Sequence, residues 1–473
     1  MSKLKLALIL SILLGVSGVD GKLKLASVLG DNMVLERNSE VKLWGKSNPN
    51  EKIVITTSWN KGENSTTASS KGEWLVKVKT TDAGGPYEIT FKSKKEKLLL
   101  KNILLGEVWL CSGQSNMEMP LHGFTNQPIN GNGDFLMDAD NNDIRLCKIG
   151  RAVATSPQDT CNGEWKVSSA ESAASFSAVA YLFAKQLHDK LKIPIGVIAS
   201  SWGGTRIEPW MNLESIKQYP DAYNRASQPK ILPHLRPASL YNGMIAPIVN
   251  YVIKGAIWYQ GESNIPNYKE YSSLMKGMVE GWRKDFGVGD FPFYYVQIAP
   301  YFYNKSSNID AAFLREEQEK AMSVIPNSGM VCTLDIGEEK SIHPAEKNLV
   351  AKRLASWALA ENYGFKGLLY KSPSYKSFTV KDSLVTIAFD NVNVGFTSYG
   401  KNVDCFQIAG SDKVFYPAQI ITTKNNEVLL TSASVKVPVA VRYGFSNYPT
   451  TRGYMFSTIA QPVLPFRTDN WDK

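Results

Sequence analysis

Over the first hundred positions, short apolar stretches partly alternate with polar residues: Val41–Trp44, Ile53–Ile55 and Trp74–Val78. Clusters of Asn, Gly, Pro and Ser separate them, Gly84-Gly85-Pro86 among them. Many short strands divided by turn residues predict a β-sandwich over residues 22–100. Beyond Leu100 the pattern changes. Ile103 to Cys111 is a nearly continuous apolar run, as expected of a strand covered on both faces. Val179, Leu182, Phe183, Leu187 and Leu191 recur at helical spacing and lead into a strand from Ile195 to Ala199. Further strands at Ala256–Tyr259, Phe293–Ile298 and Gly329–Leu334 alternate with helices over about Tyr268–Phe286, Ala312–Val324 and Pro344–Ala360. This alternation predicts an α/β domain over residues 101–365, its mainly parallel sheet sandwiched between helices. A β pattern returns over residues 366–473, in Ser377–Val380, Ser383–Phe389, Val428–Leu430 and Val437–Tyr443. Its end is expected to pack back on the α/β domain.

The first residues carry a different signal. Lys3 and Lys5 precede the short apolar run Ala7–Val16, and the small residues Ser17 and Gly18 follow. The run is too short for a bilayer, which takes about 20 residues, and it has the layout of a cleaved signal peptide over residues 1–21. No Cys stands near the cleavage region, which argues against a lipid anchor. The expected location is secreted or periplasmic, with no membrane span after cleavage.

Composition narrows the class. An apolar fraction of 43% and a charged fraction of 21% exclude a disordered chain or a coiled-coil rod. The net charge of +9 comes from lysines spread over several segments rather than a stripe with interleaved aromatics, which argues against nucleic acid as a partner. Five cysteines are too few for a disulfide scaffold. Cys147 and Cys161 are near enough in sequence to pair, whereas Cys111, Cys332 and Cys405 sit in strand-like runs. Nothing resembles CxxC or HExxH, so neither a metal nor a cofactor is expected.

In a parallel α/β sheet, ligands bind beyond the carboxyl ends of the strands. The strand ending at Cys111 runs into Ser112-Gly113-Gln114-Ser115-Asn116-Met117, and the strand ending at Ala199 into Ser201-Trp202-Gly203-Gly204-Thr205. The strand ending at Tyr259 runs into Gln260-Gly261-Glu262-Ser263-Asn264, and the last into Asp335 and a loop reaching His343-Pro344. A hydroxyl, a glycine-flanked backbone, an amide and an imidazole at four strand ends are the parts of a serine hydrolase. Taken singly, each has an ordinary structural use: a turn serine, a plain glycine turn, a buried amide, a helix-capping histidine. Their concurrence favours catalysis.

These blocks resemble those of the sialate O-acetylesterases, a family of the SGNH/GDSL hydrolases related to acetyl xylan esterases. Asp31–Arg37 and Pro465–Asp469 extend the resemblance over nearly the whole chain after the leader. It implies an SGNH-type three-layer α/β/α domain and a carbohydrate O-acetylesterase acting through an acyl-enzyme. Ser115 is then the nucleophile and His343 the base, with the N–H groups of Ser115 and Gly204 and the side-chain amide of Gln260 as oxyanion donors. Glu262 and Arg206 become substrate or supporting contacts, or partners in a structural salt bridge. The expected partner is an O-acetylated carbohydrate: sialic acid, or a plant glycan such as acetylated xylan. One position departs from the pattern. Lys340 stands where SGNH enzymes place an Asp, three residues before the His. Asp335, at a strand end, is the leading acid to orient His343, with Glu338, Glu339 or a backbone carbonyl such as that of Ser341 as alternatives. The missing acid also leaves room for a non-catalytic carbohydrate-binding protein.

Overall fold

The computed structural model describes residues 22–303, 308–450 and 453–471; the expected leader lies outside them. Seven strands form the central sheet: β1 (Lys97–Gly113), β2 (Asn141–Ile149), β3 (Gly163–Ser168), β4 (Ile195–Ser201), β5 (Gly255–Tyr259), β6 (Phe293–Val296) and β7 (Ser328–Val331). Their order is β3-β2-β4-β1-β5-β6-β7. All neighbours are parallel except β3, which runs antiparallel to β2 at the edge. The chain alternates between the two faces of the sheet, as the apolar runs require. On β1, Trp109 and Cys111 point to one face and Val108 and Leu110 to the other.

Helices α2 (Ala178–Leu191) and α5 (Lys347–Asn362) cover the first face; α3 (Tyr271–Phe286) and α4 (Asp310–Val324) cover the second. Helix α1 is the single turn Ser115–Glu118 that follows β1. Val179, Leu182, Phe183 and Leu187 of α2 are all fully buried, each contributing about 1.5–3 kcal/mol of burial. This is the three-layer α/β/α arrangement expected of the apolar strands. Helix α5 begins at Lys347 rather than Pro344; ahead of it the Ala345 N–H donates to Glu338 Oε1 at 2.7 Å, and the Ala345 carbonyl accepts from the Asn130 N–H at 3.1 Å. All five cysteines, Cys147 and Cys161 included, are free thiols.

Two small sheets precede the central one. One pairs Lys24–Leu25, Glu40–Lys46 and Glu73–Lys79, the last with strictly alternating burial. The other pairs Lys52–Thr57 with Glu63–Thr67 and Gly84–Lys92. β1 belongs to both regions. Its first half pairs with Gly84–Lys92 and with Val34–Glu36; its second half pairs with β4 and β5. Residue 100, the boundary expected from the change of pattern, therefore falls inside one strand. The C-terminal region forms small antiparallel sheets, among them Ser374–Lys381, Leu384–Asp390, Glu427–Thr431 and Gln419–Lys424. It returns to the central domain through Arg467, whose guanidinium makes two hydrogen bonds to Glu316 of α4, at 2.9 and 3.0 Å.

Candidate active site

The carboxyl ends of β1, β4 and β5 lie in register, with Gly113 paired to both Ser201 and Tyr259. At Gly113 the backbone has φ +144°, and a Cβ there would sit 2.2 Å from the Tyr259 carbonyl oxygen. Only glycine permits this approach. The chain then turns sharply. The Gln114 N–H donates to Tyr259 O at 3.0 Å, and α1 opens with Ser115.

His343 reaches this turn from the loop between β7 and α5. The Ser115 hydroxyl donates to His343 Nε2 at 2.8 Å. On the other side of the ring, Nδ1–H donates to Gln127 Oε1 at 2.5 Å. An acceptor at Nδ1 fixes the proton there and leaves Nε2 with its lone pair facing the serine, the tautomer a base needs. Phe124 packs edge-on against the imidazole, with 5.3 Å between ring centres. Burial lowers the His343 pKa, helped by the nearby Lys347 ammonium, to about 4. The imidazole is therefore neutral at pH 7.

Asp335 does not take the orienting position. Its two carboxylate oxygens accept from Arg353 of α5 at 2.8 and 2.7 Å, and both side chains are nearly buried. A bidentate guanidinium holds both carboxylate oxygens, and the His343 Nδ1–H donates to Gln127 instead. Glu338 is likewise turned to the Ala345 N–H. The Ser341 hydroxyl, rather than its carbonyl, meets the backbone of His343. Gln127 was not marked by any strand end or motif. It lies in a tight turn closed by mutual backbone hydrogen bonds with Phe124, 216 residues from its partner.

Gln260 also differs from the expected oxyanion donor. It is fully buried. Its Nε2 donates to Thr205 O at 3.1 Å and to Asn264 Oδ1 at 2.7 Å, which uses both amide hydrogens. The Tyr271 hydroxyl donates to its Oε1 at 2.8 Å. Gln260 thus ties the loop after β4 to the loop after β5 from behind. In that first loop Gly204 has φ +74°, and the Gly203 N–H donates to Glu118 Oε2 at 2.8 Å. The positive φ turns the backbone of Gly204 outward. Among the described residues neither the Gly204 nor the Ser115 N–H has an acceptor.

Arg206 and Glu262 form no salt bridge with each other. Arg206, two residues past Gly204, is half-buried and has no ion-pair or hydrogen-bond partner among the described residues. Glu262 is buried and accepts from Asn116 Nδ2 at 2.6 Å. Among the described residues none of the remaining histidines is hydrogen-bonded to the serine. His234 stacks flat on Trp202, ring centres 5.0 Å apart; His188 Nδ1 bonds Ile193 O; and His122 is exposed.

Residues 105–360 match the model of the carbohydrate esterase family of sialic acid-specific acetylesterases. That span exceeds half of the chain. The chain belongs to this family. It is a carboxylic ester hydrolase of the carbohydrate esterase type. Sialate O-acetylesterase from Homo sapiens is 32% identical over 74% of this chain and 73% of its own length. The protein of the same name from Pongo abelii is 29% identical over 90% of this chain and 88% of its own. A carbohydrate acetylesterase from Xanthomonas citri superposes with a TM-score of 0.86 at 33% identity, covering 95% of this chain and 100% of its own. In this esterase, then, the serine turn and the imidazole loop lie within the span that defines the family.

Proposed function

We propose that this carbohydrate acetylesterase removes O-acetyl groups from sialic acid or related glycans through an acetyl-serine intermediate, outside the cytoplasm. The observation that carries the reading is the contact between Ser115 Oγ and His343 Nε2 at 2.8 Å, with Nδ1 held by Gln127. Ser115 Oγ attacks the acetyl carbonyl and gives its proton to His343 Nε2. The N–H groups of Ser115 and Gly204 receive the oxyanion as charge develops. Collapse breaks the ester bond, and His343 returns the proton to the departing sugar oxygen. A water then loses its proton to His343 and attacks the acetyl-serine; acetate leaves and Ser115 is restored. Gln127 keeps the tautomer throughout but supplies no negative charge to the imidazolium. Gln260 holds the Gly204 loop in place.

Arg206 supports an anionic sugar. A guanidinium beside the oxyanion loop with no partner among the described residues is suited to meet a sialate carboxylate in bidentate fashion. Arg151, by contrast, is spent on Glu118 at 2.8 and 2.7 Å. The leader-like residues 1–21 support export to the periplasm or the exterior, and among the described residues no helix is long and apolar enough to cross a membrane.

The test is acetate release from a panel of O-acetylated sialic acids and from acetylated xylan, with Ser115→Ala as the blank. Release from the sialic acids is expected, and Arg206→Ala should raise KM for them while leaving hydrolysis of a neutral aryl acetate unchanged. Release from xylan alone would refute the sialate assignment and favour the plant-glycan alternative.

A further inference from the structure

Behind the Ser115–His343 pair lies a buried polar chain that the reaction as written does not use. Lys347, the first residue of α5, is fully buried. Its Nζ donates to Asn116 Oδ1 at 2.5 Å. The amide of Asn116 passes the interaction on: Nδ2 donates to Glu262 Oε1 at 2.6 Å and to the carbonyl oxygen of Ile342 at 3.0 Å. Asn116 is the neighbour of the nucleophile and Ile342 the neighbour of the base. One side chain therefore joins the serine turn, the loop after β5 and the imidazole loop.

We propose that Lys347 and Asn116 are positioning residues: Lys347, through the Asn116 amide, clamps the Ile342 carbonyl so that His343 is held against Ser115.

An ammonium on one end of an amide and a carboxylate on the other polarise it in the same direction, which strengthens both hydrogen bonds. An Asn held that way cannot rotate, and so the Ile342 carbonyl is fixed. Charge acts on the same atoms. The groups facing Lys347 are Asn116 of α1, Glu262 after β5, Glu338 and His343 of the imidazole loop, and the Tyr259 ring, whose centre is 5.5 Å away. Burial lowers the Lys347 pKa to about 7, against the pull of Glu262 and Glu338. Below pH 6, where a histidine would take up its proton, Lys347 is thus a cation. It disfavours a second positive charge on His343. Lacking an acidic partner at Nδ1, His343 has little to offset that influence, and the base stays available far into acid.

The clamp rests on the Ser115–His343 reading, and the experiment separates the two. Lys347→Met and Asn116→Ala are compared with Ser115→Ala and His343→Ala on an aryl acetate, with kcat, KM and the pH profile of kcat/KM measured for each folded variant. Lys347→Met should lower kcat by about 10²-fold with little change in KM, the usual cost of misplacing a reacting group. It should also move the acid limb up from about 4 towards the ordinary histidine value of about 6.5. Asn116→Ala should lower kcat similarly and leave the limb where it is, because the ammonium remains. A purely structural role would lower thermal stability without moving the limb. Wild-type kcat in either variant, or an unmoved limb in Lys347→Met, overturns the proposal. Should Lys347→Met fail to fold, Asn116→Ala decides by its kcat. Activity retained in Ser115→Ala or His343→Ala overturns the catalytic reading itself and the clamp with it.

Discussion

Replacing Gln127 by Leu keeps the volume of the side chain and removes the only side-chain acceptor at His343 Nδ1 among the described residues. The half-buried ring then carries an N–H with no protein partner. A donor left unsatisfied in that way costs about 1–3 kcal/mol. The cost falls on the tautomer with its proton on Nδ1, the one that can accept the Ser115 proton, and on the imidazolium formed from it. At about 1.36 kcal/mol per decade, kcat should fall about 5- to 150-fold. Because the ring is only half-buried, water can replace part of the lost bond, which places the outcome in the lower half of that range. The assay is steady-state hydrolysis of an aryl acetate, followed from pH 4 to 9. Gln127→Glu is the informative companion. A carboxylate at the same position favours the imidazolium, so the His343 pKa must rise, and the acid limb of kcat/KM must move up from about 4. Wild-type kcat in Gln127→Leu would refute the orienting role, and an unmoved limb in Gln127→Glu would show that Nδ1 does not face residue 127.

Ser115→Ala should lose roughly 10⁴-fold or more in turnover while keeping the wild-type melting curve; near-normal turnover removes the nucleophile assignment. Asp335→Asn breaks a nearly buried bidentate pair with Arg353, and the expected loss is about 3–5 kcal/mol of stability, read as a lower denaturant midpoint. If it abolishes turnover with stability intact, Asp335 orients the base after all. Gly113→Ala places a Cβ 2.2 Å from the Tyr259 carbonyl, so β1 and β5 must part at the nucleophile turn. Low folded yield and low activity are expected together, and a stable, active Ala variant contradicts the geometry.

The parallel strands were legible because burial on both faces demands unbroken apolar runs, and β1, β4 and β5 have them. The edge pair β2–β3 was not: Asn141–Ile149 and Gly163–Ser168 mix exposed and buried positions, and their pairing shows only once the sheet exists. Strand-end position singled out Ser115 and His343, which the fold brings within hydrogen-bond distance. It misjudged Asp335, because proximity along the chain to a histidine says nothing about competitors, and Arg353 on α5 holds the carboxylate. Gln260 was found at the right loop but with its amide facing inward, a matter of which hydrogen-bond partners fold against it. Gln127 left no trace in the sequence, since a neutral amide in a turn acquires its role only when a loop far along the chain arrives beside it.

β1 carries one more consequence. A strand laced into two sheets cannot be cut without unravelling both, so the N-terminal β region is not a detachable module. A fragment starting at residue 101 would keep the serine but lose the first four residues of β1 with their partners in Gly84–Lys92, and would expose the β1 edge against which Val34–Glu36 is laid. Unpaired edges of that kind recruit other chains. Expression of the isolated hydrolase portion should therefore yield aggregates, and amide exchange along Leu98–Leu110 should slow as one cooperative block, without a step at residue 100. Inheritance follows the same constraint: the region ahead of the nucleophile must travel with it.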